Sequence, residues 1–143
     1  MTRLGRALSP QAYETACDLA GAALLRRVPV AATLLQITEE KVWSEFAAAV
    51  YIAADSTNAI RYVGSVARSG RSGVGDRIQE HVRAGRATRW IRLMVVPLVP
   101  DTEASLVRRV EGRVGAVLRP ADTMRLPSIR SSGRPIRLPT LGN

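Results

Sequence analysis

Ala49-Val50-Tyr51-Ile52-Ala53-Ala54, then Asp55-Ser56-Thr57-Asn58, then Ile60-Arg61-Tyr62-Val63-Gly64 is the stretch that decides the fold. Two apolar runs of strand length flank a segment rich in Asp, Ser and Asn, whose short side chains bond to their own backbone and favour turns. The arrangement predicts a β-hairpin. Downstream, Ser65 to Gly75 reads as a Gly/Ser/Arg-rich loop, and Asp76 opens a short helix over Arg77 to Ala84 that Gly85 ends. Ile91 to Val99 reads as a third strand. Pro97 cannot donate to a ladder, so it marks that strand as an edge or an irregular end. Asp101 or Thr102 caps a last helix running to Leu118, with Leu106, Val110, Val114 and Val117 as its apolar stripe and Pro120 as its stop.

Upstream of the hairpin the period is helical. Ser9-Pro10 is an N-cap followed by proline at the first helical position. Ala12, Ala16, Leu19, Ala20, Ala23 and Leu24 then recur at helix spacing, with Arg26-Arg27 in the last turn and Pro29 closing the element. Residues 30–48 predict two more short helices split at a capping Thr38. They carry Glu39, Glu40 and Glu45, three acids that would face phosphates, so a packing element is favoured over a DNA-reading helix-turn-helix. The expected fold is α/β (α+β): a small three-stranded antiparallel sheet flanked by helices, with an N-terminal helical extension over 1–48, a core unit over 49–123 and a Pro-containing basic tail over 124–143.

The chain has 143 residues, 46% of them hydrophobic and only 4% aromatic, so the core must be built mainly from Ala, Val, Leu and Ile. One Cys and one His exclude a disulfide framework and a closed Cys/His zinc site within the chain. The longest uncharged run of the first half, Val28 to Thr38, is 11 residues, against about 20 for a membrane span. Glu14 and Asp18 interrupt any secretory signal at the N-terminus. A cytoplasmic protein without membrane attachment is expected. The net charge of +9 is uneven: residues 1–48 are neutral, 49–120 hold twelve Arg and six acids, and 121–143 hold four Arg and one acid. A basic C-terminal two-thirds points to a polyanion, most often nucleic acid.

The element order brings Tyr51, Tyr62, Gly64, Arg77, His81 and Glu111 toward one region, with Arg77 and His81 four residues apart on one helical face. This combination resembles the GIY-YIG nuclease family. Ala49-Val50-Tyr51 corresponds to the first signature, Tyr62-Val63-Gly64 to the second, Arg77 to His81 to the Arg-containing helix, and Glu111, nine residues before Pro120, to the Glu-to-Pro segment. The resemblance covers residues 48–123. Ala49 stands where the family has its first Gly, and Thr123 where it often has Asn. The long loop before Arg77 leaves Arg71 as an alternative match. The resemblance implies a divalent-metal-dependent endonuclease acting on DNA. A binding module with weak or lost cleavage and a toxin-like ribonuclease are the alternatives.

Phosphodiester hydrolysis needs an activated water, charge relief at phosphorus and a stabilised leaving oxygen. Glu111 would anchor Mg²⁺ (or Mn²⁺), which keeps most of its waters and takes phosphate oxygens as further ligands. Glu103 is the reserve carboxylate, although its place near a helix start suits a dipole role equally. Arg77 would pair with phosphate, and His81 would orient the water or bind phosphate. Tyr51 or Tyr62 would position or deprotonate the water, and the family analogy favours Tyr51. An ordinary Tyr pKa of about 10 is high for this task, so Arg77 and the metal are expected to lower it. Arg68 and Arg71 in the loop, with Arg125, Arg130, Arg134 and Arg137 in the tail, are the expected phosphate-backbone contacts, with Gly64 beside them.

Overall fold

The computed structural model describes residues 6–67 and 73–122. The hairpin forms as expected. Strands β2 (Ala48–Ala54) and β3 (Ile60–Ala67) pair antiparallel, with Tyr51 opposite Gly64 and Ile52 opposite Val63. In the turn, Asp55 Oδ1 accepts from the Thr57 backbone, the Thr57 hydroxyl and the Ala59 backbone, while Asn58 takes a left-handed φ of 69°. This is the local bonding that makes Asp and Asn turn residues. Asn58 Nδ2 also donates to the Leu8 carbonyl, which fastens the segment before the first helix to the hairpin.

The sheet has four strands where the sequence predicts three. Strand β4 (Arg92–Pro97) lies between β2 and a two-residue strand, β1 (Ala32–Thr33), giving the order β1-β4-β2-β3 with every pairing antiparallel. β1 is too short to show a period, and the sequence predicts helix there instead. β4 is therefore interior, which rules out the edge-strand reading of Pro97 and leaves the strand-end one. The proline sits at the last position of the strand, where its carbonyl accepts from the Leu25 backbone and its missing N–H breaks no long ladder. All seven residues of β2 are buried, as a strand covered on both faces requires.

Helix α1 (Pro10–Ala20) begins on Ser9, whose Oγ accepts from the Ala12 backbone at 3.0 Å. It stops earlier than expected. Gly21 turns the chain with φ 57°, a tight turn spans Gly21–Ala23, and Leu24 bridges to Leu98, so Arg26 and Arg27 lie outside any helix. α2 (Leu34–Glu39) and α3 (Lys41–Ser44) divide at Glu40 rather than Thr38. The cap belongs to Thr33, which forms a reciprocal capping box with Gln36. α4 (Val74–Arg83) starts two residues before the expected Asp76. α5 (Ala104–Leu118) follows Glu103, and its buried stripe is Val107, Val110, Val114 and Leu118; Val117 faces outward.

Period-2 alternation sends Val50, Ile52 and Ala54 to a core shared with α1 and α5, and Ala49, Tyr51 and Ala53 to a second core shared with α2, α3 and α4. Tyr13, Ala16, Cys17 and Ala20 of α1 belong to the first core, and Ile37 and Trp43 to the second. Residues 6–48 thus contribute to both layers and supply a strand. No helix among the described residues is long and apolar enough to cross a membrane.

Candidate active site

Gly64 sets the geometry. A Cβ on this residue would lie 2.5 Å from the Tyr51 hydroxyl oxygen, 2.6 Å from Tyr51 Cζ and 2.7 Å from Tyr62 Cε2. No larger residue fits without moving both rings. The missing side chain lets Tyr51 lean across the strand pair against Tyr62, with ring centroids 6.3 Å apart and planes 24° from parallel. The sequence assigns Gly64 to nucleic-acid contact. In the structure most of its empty space is taken by the two tyrosines.

Helix α4 delivers Arg77 and His81 to the same place, one turn apart. His81 is 1% exposed, and its Nε2 lies 2.7 Å from the Tyr51 hydroxyl. Arg86 Nε donates to His81 Nδ1 at 2.8 Å. Trp90 stacks on Tyr62 at 5.1 Å and lies 5.1 Å from the His81 ring. Arg77 pairs with Glu80 at 3.1 Å on the helix surface. Burial, reinforced by Arg77 and Arg86, pushes His81 down to about 4, so it is neutral at pH 7. Burial pushes Tyr51 well above the ordinary phenol value, with the neighbouring Tyr62 adding to the rise. Arg77 opposes the shift and does not by itself overcome it. His81 is also not free to bind phosphate, since its two nitrogens face Tyr51 and Arg86.

Glu111 comes from the other layer. β3 is an outer strand of the sheet, and Ser65, next to Gly64, points to the α5 face by alternation. The Ser65 hydroxyl donates to Glu111 Oε1 in a short hydrogen bond. Burial raises the Glu111 carboxyl above the usual range, while the Ser65 bond, Arg77 and Arg108 act against the rise. Around this edge opens a pocket of about 370 Å³ whose lining includes Tyr62, Gly64, Ser65, Arg77, Arg108 and Glu111. Tyr51 and His81 stand behind it. Glu103 is exposed at the start of α5, where Ala104 is the residue that reaches the pocket wall.

Arg68, Arg71, Arg125, Arg130, Arg134, Arg137 and Thr123 lie outside the described residues. Sequence reading missed Ser65, Trp90, Arg86 and Arg108. Period-2 alternation from Tyr62 places Ser65 on the α5 face, and Gly85 after α4 signals a chain reversal that carries Arg86 back over the helix end. Trp90, at the entry to β4, has no periodic signal.

Among the described residues no three His, Cys, Asp or Glu side chains gather as a metal cage. A lone, partly buried carboxylate opening on a polar pocket fits Mg²⁺, which binds through one or two carboxylates plus water and phosphate, and does not fit zinc. No family model, curated protein or solved structure matches the chain significantly.

Proposed function

We propose that the chain is a divalent-metal-dependent endonuclease that hydrolyses DNA phosphodiesters with a site of GIY-YIG type. The observation that carries this reading is the convergence of Tyr62, Arg77 and Glu111, from three elements, on one pocket at the sheet edge, with the Tyr51–His81 pair directly behind Gly64. Arg77 would pair with a phosphate oxygen and offset the charge that grows at phosphorus. Glu111, with Ser65 holding one oxygen, would hold the Mg²⁺ or Mn²⁺ ion. When bound, that ion supplies Lewis-acid charge relief and leaving-group stabilisation. Tyr62 lines the pocket and is the tyrosine in reach of an attacking water, while Tyr51, fully buried, acts from behind it. Arg108 adds a second cation for the nucleic-acid backbone.

The complete burial of Tyr51 and the single carboxylate favour a second reading, a nucleic-acid-binding module on which cleavage is weak or lost. One assay separates the two. The nuclease reading expects purified protein to nick supercoiled plasmid with Mg²⁺ and to stop when a chelator is added. Binding without nicking in either Mg²⁺ or Mn²⁺ would leave only the binding module.

A further inference from the structure

Helix α4 ends in a reversal that places a cation on its own last buried residue. The Gly85 backbone N–H bonds to the Val82 carbonyl and the Arg86 N–H to the His81 carbonyl, while Gly85 takes φ 79°. This is the paired 5→2 and 6→1 bonding of a Schellman ending, which brings the side chain two residues past the cap over the third residue before it. Those two residues are Arg86 and His81. In place of an apolar contact, Arg86 Nε donates to His81 Nδ1 at 2.8 Å.

A guanidinium has only donors. A nitrogen that accepts from it must present a lone pair, so His81 Nδ1 carries no proton. With Nδ1 bare the imidazole is neutral, and a neutral imidazole holds one proton, which must then sit on Nε2. Nε2 is the atom 2.7 Å from the Tyr51 hydroxyl oxygen. In that bond the histidine donates and the tyrosine accepts.

We propose that Arg86 is a positioning residue that fixes the His81 proton on Nε2 and so makes the Tyr51 oxygen an acceptor from the histidine, as it is from the neighbouring Arg77 guanidinium. His81 is then not the base that relieves Tyr51 of its proton, because the nitrogen it presents is already protonated and the other is taken. Its role is to hold the Tyr51 oxygen with a donated hydrogen bond. The tautomer assignment stands on the hydrogen bonds alone; its consequence for turnover rests on the nuclease reading.

The chain's single histidine gives one pair of imidazole nitrogen signals, so ¹⁵N NMR reads the tautomer without ambiguity. Arg86 is exposed and belongs to neither core, so its replacement is expected to leave the fold intact. Wild type should show protonated Nε2 and unprotonated Nδ1, and Arg86→Lys, which keeps a donor, should show the same. Arg86→Glu offers an acceptor instead and should move the proton onto Nδ1 or charge the ring. A wild-type ring protonated on Nδ1, or an Arg86→Glu spectrum identical to wild type, would overturn the proposal. In plasmid nicking, Arg86→Glu should lower kcat by about tenfold or more with KM little changed, and Arg86→Lys should restore it. If the spectra behave as described and no variant or wild type cleaves, the nuclease reading fails while the tautomer assignment stands.

Discussion

Two tyrosines are fully buried on opposite sides of the sheet, and they differ in what satisfies their hydroxyls. Tyr13, on the α1/α5 side, donates to the Val95 carbonyl at 2.7 Å and accepts from the Val28 backbone at 2.8 Å. Tyr51, on the α4 side, meets the imidazole of His81, with Arg77 close by. Burial is the main reason both phenols are raised far above their ordinary value. A perturbed pKa therefore does not distinguish them. The surroundings do: Tyr13 is held by two backbone groups, which cannot change protonation state, with the buried Cys17 thiol beside it in the core, and so fastens α1, β4 and the segment at Val28 together. A hydroxyl held by a titratable ring next to a guanidinium and a polar pocket belongs to a site.

Removing each hydroxyl tests that contrast. Tyr51→Phe should lower turnover about 10²-fold, the lower end of the scale of losing an acid–base group, because its hydroxyl supports the pocket from behind Tyr62, whereas Tyr13→Phe should leave turnover per folded molecule unchanged. Equal losses of activity in the two variants would erase the distinction. A smaller effect concerns pH. His81 titrates at about 4 in the fold and near 6.5 when unfolded, so as pH falls through this window the unfolded chain takes up the proton first. Stability should be full above pH 6.5 and decline by up to about 3 kcal/mol by pH 4, as measured by urea unfolding at a series of pH values. His81→Gln should flatten the slope in that window, while Tyr13→Phe should lower the whole curve without changing its shape. The smallest expected effect is that lowering itself, about 1–2 kcal/mol, for leaving the Val28 N–H without its partner.

The sequence makes one side of this comparison readable and hides the other. Asp55 to Asn58 between two apolar runs is a local signal, so the hairpin, and with it Tyr51, Tyr62 and Gly64, can be read without tertiary information. The i, i+4 spacing does the same for Arg77 and His81, and the helix period puts Glu111 beside Val107 and Gly115. Tyr13 lies within a helical stripe of alanines, and nothing local says that its hydroxyl crosses to Val95, 82 positions away. β1 is invisible because two residues carry no period, and Pro97 alone cannot tell an edge strand from a strand end, so the sequence leaves both readings open where the structure takes the second. α1 was overextended because Gly21 sits inside an alanine-rich run whose apolar pattern continues through Leu24, and only its left-handed φ shows that the helix stops there. The Ser65–Glu111 and Arg86–His81 contacts need, respectively, the strand register and the helix-end reversal, which residue types alone do not supply.

The contrast reduces to whether the pocket behind which Tyr51 stands performs chemistry, and among the described residues Glu111 is the one carboxylate that lines it. The decisive measurement is plasmid nicking in Mg²⁺ by Glu111→Gln, a substitution that keeps shape and an acceptor for Ser65 but removes the charge. The account predicts that cleavage falls by orders of magnitude while the melting temperature and DNA affinity stay close to those of wild type. Activity within a few-fold of wild type would contradict it.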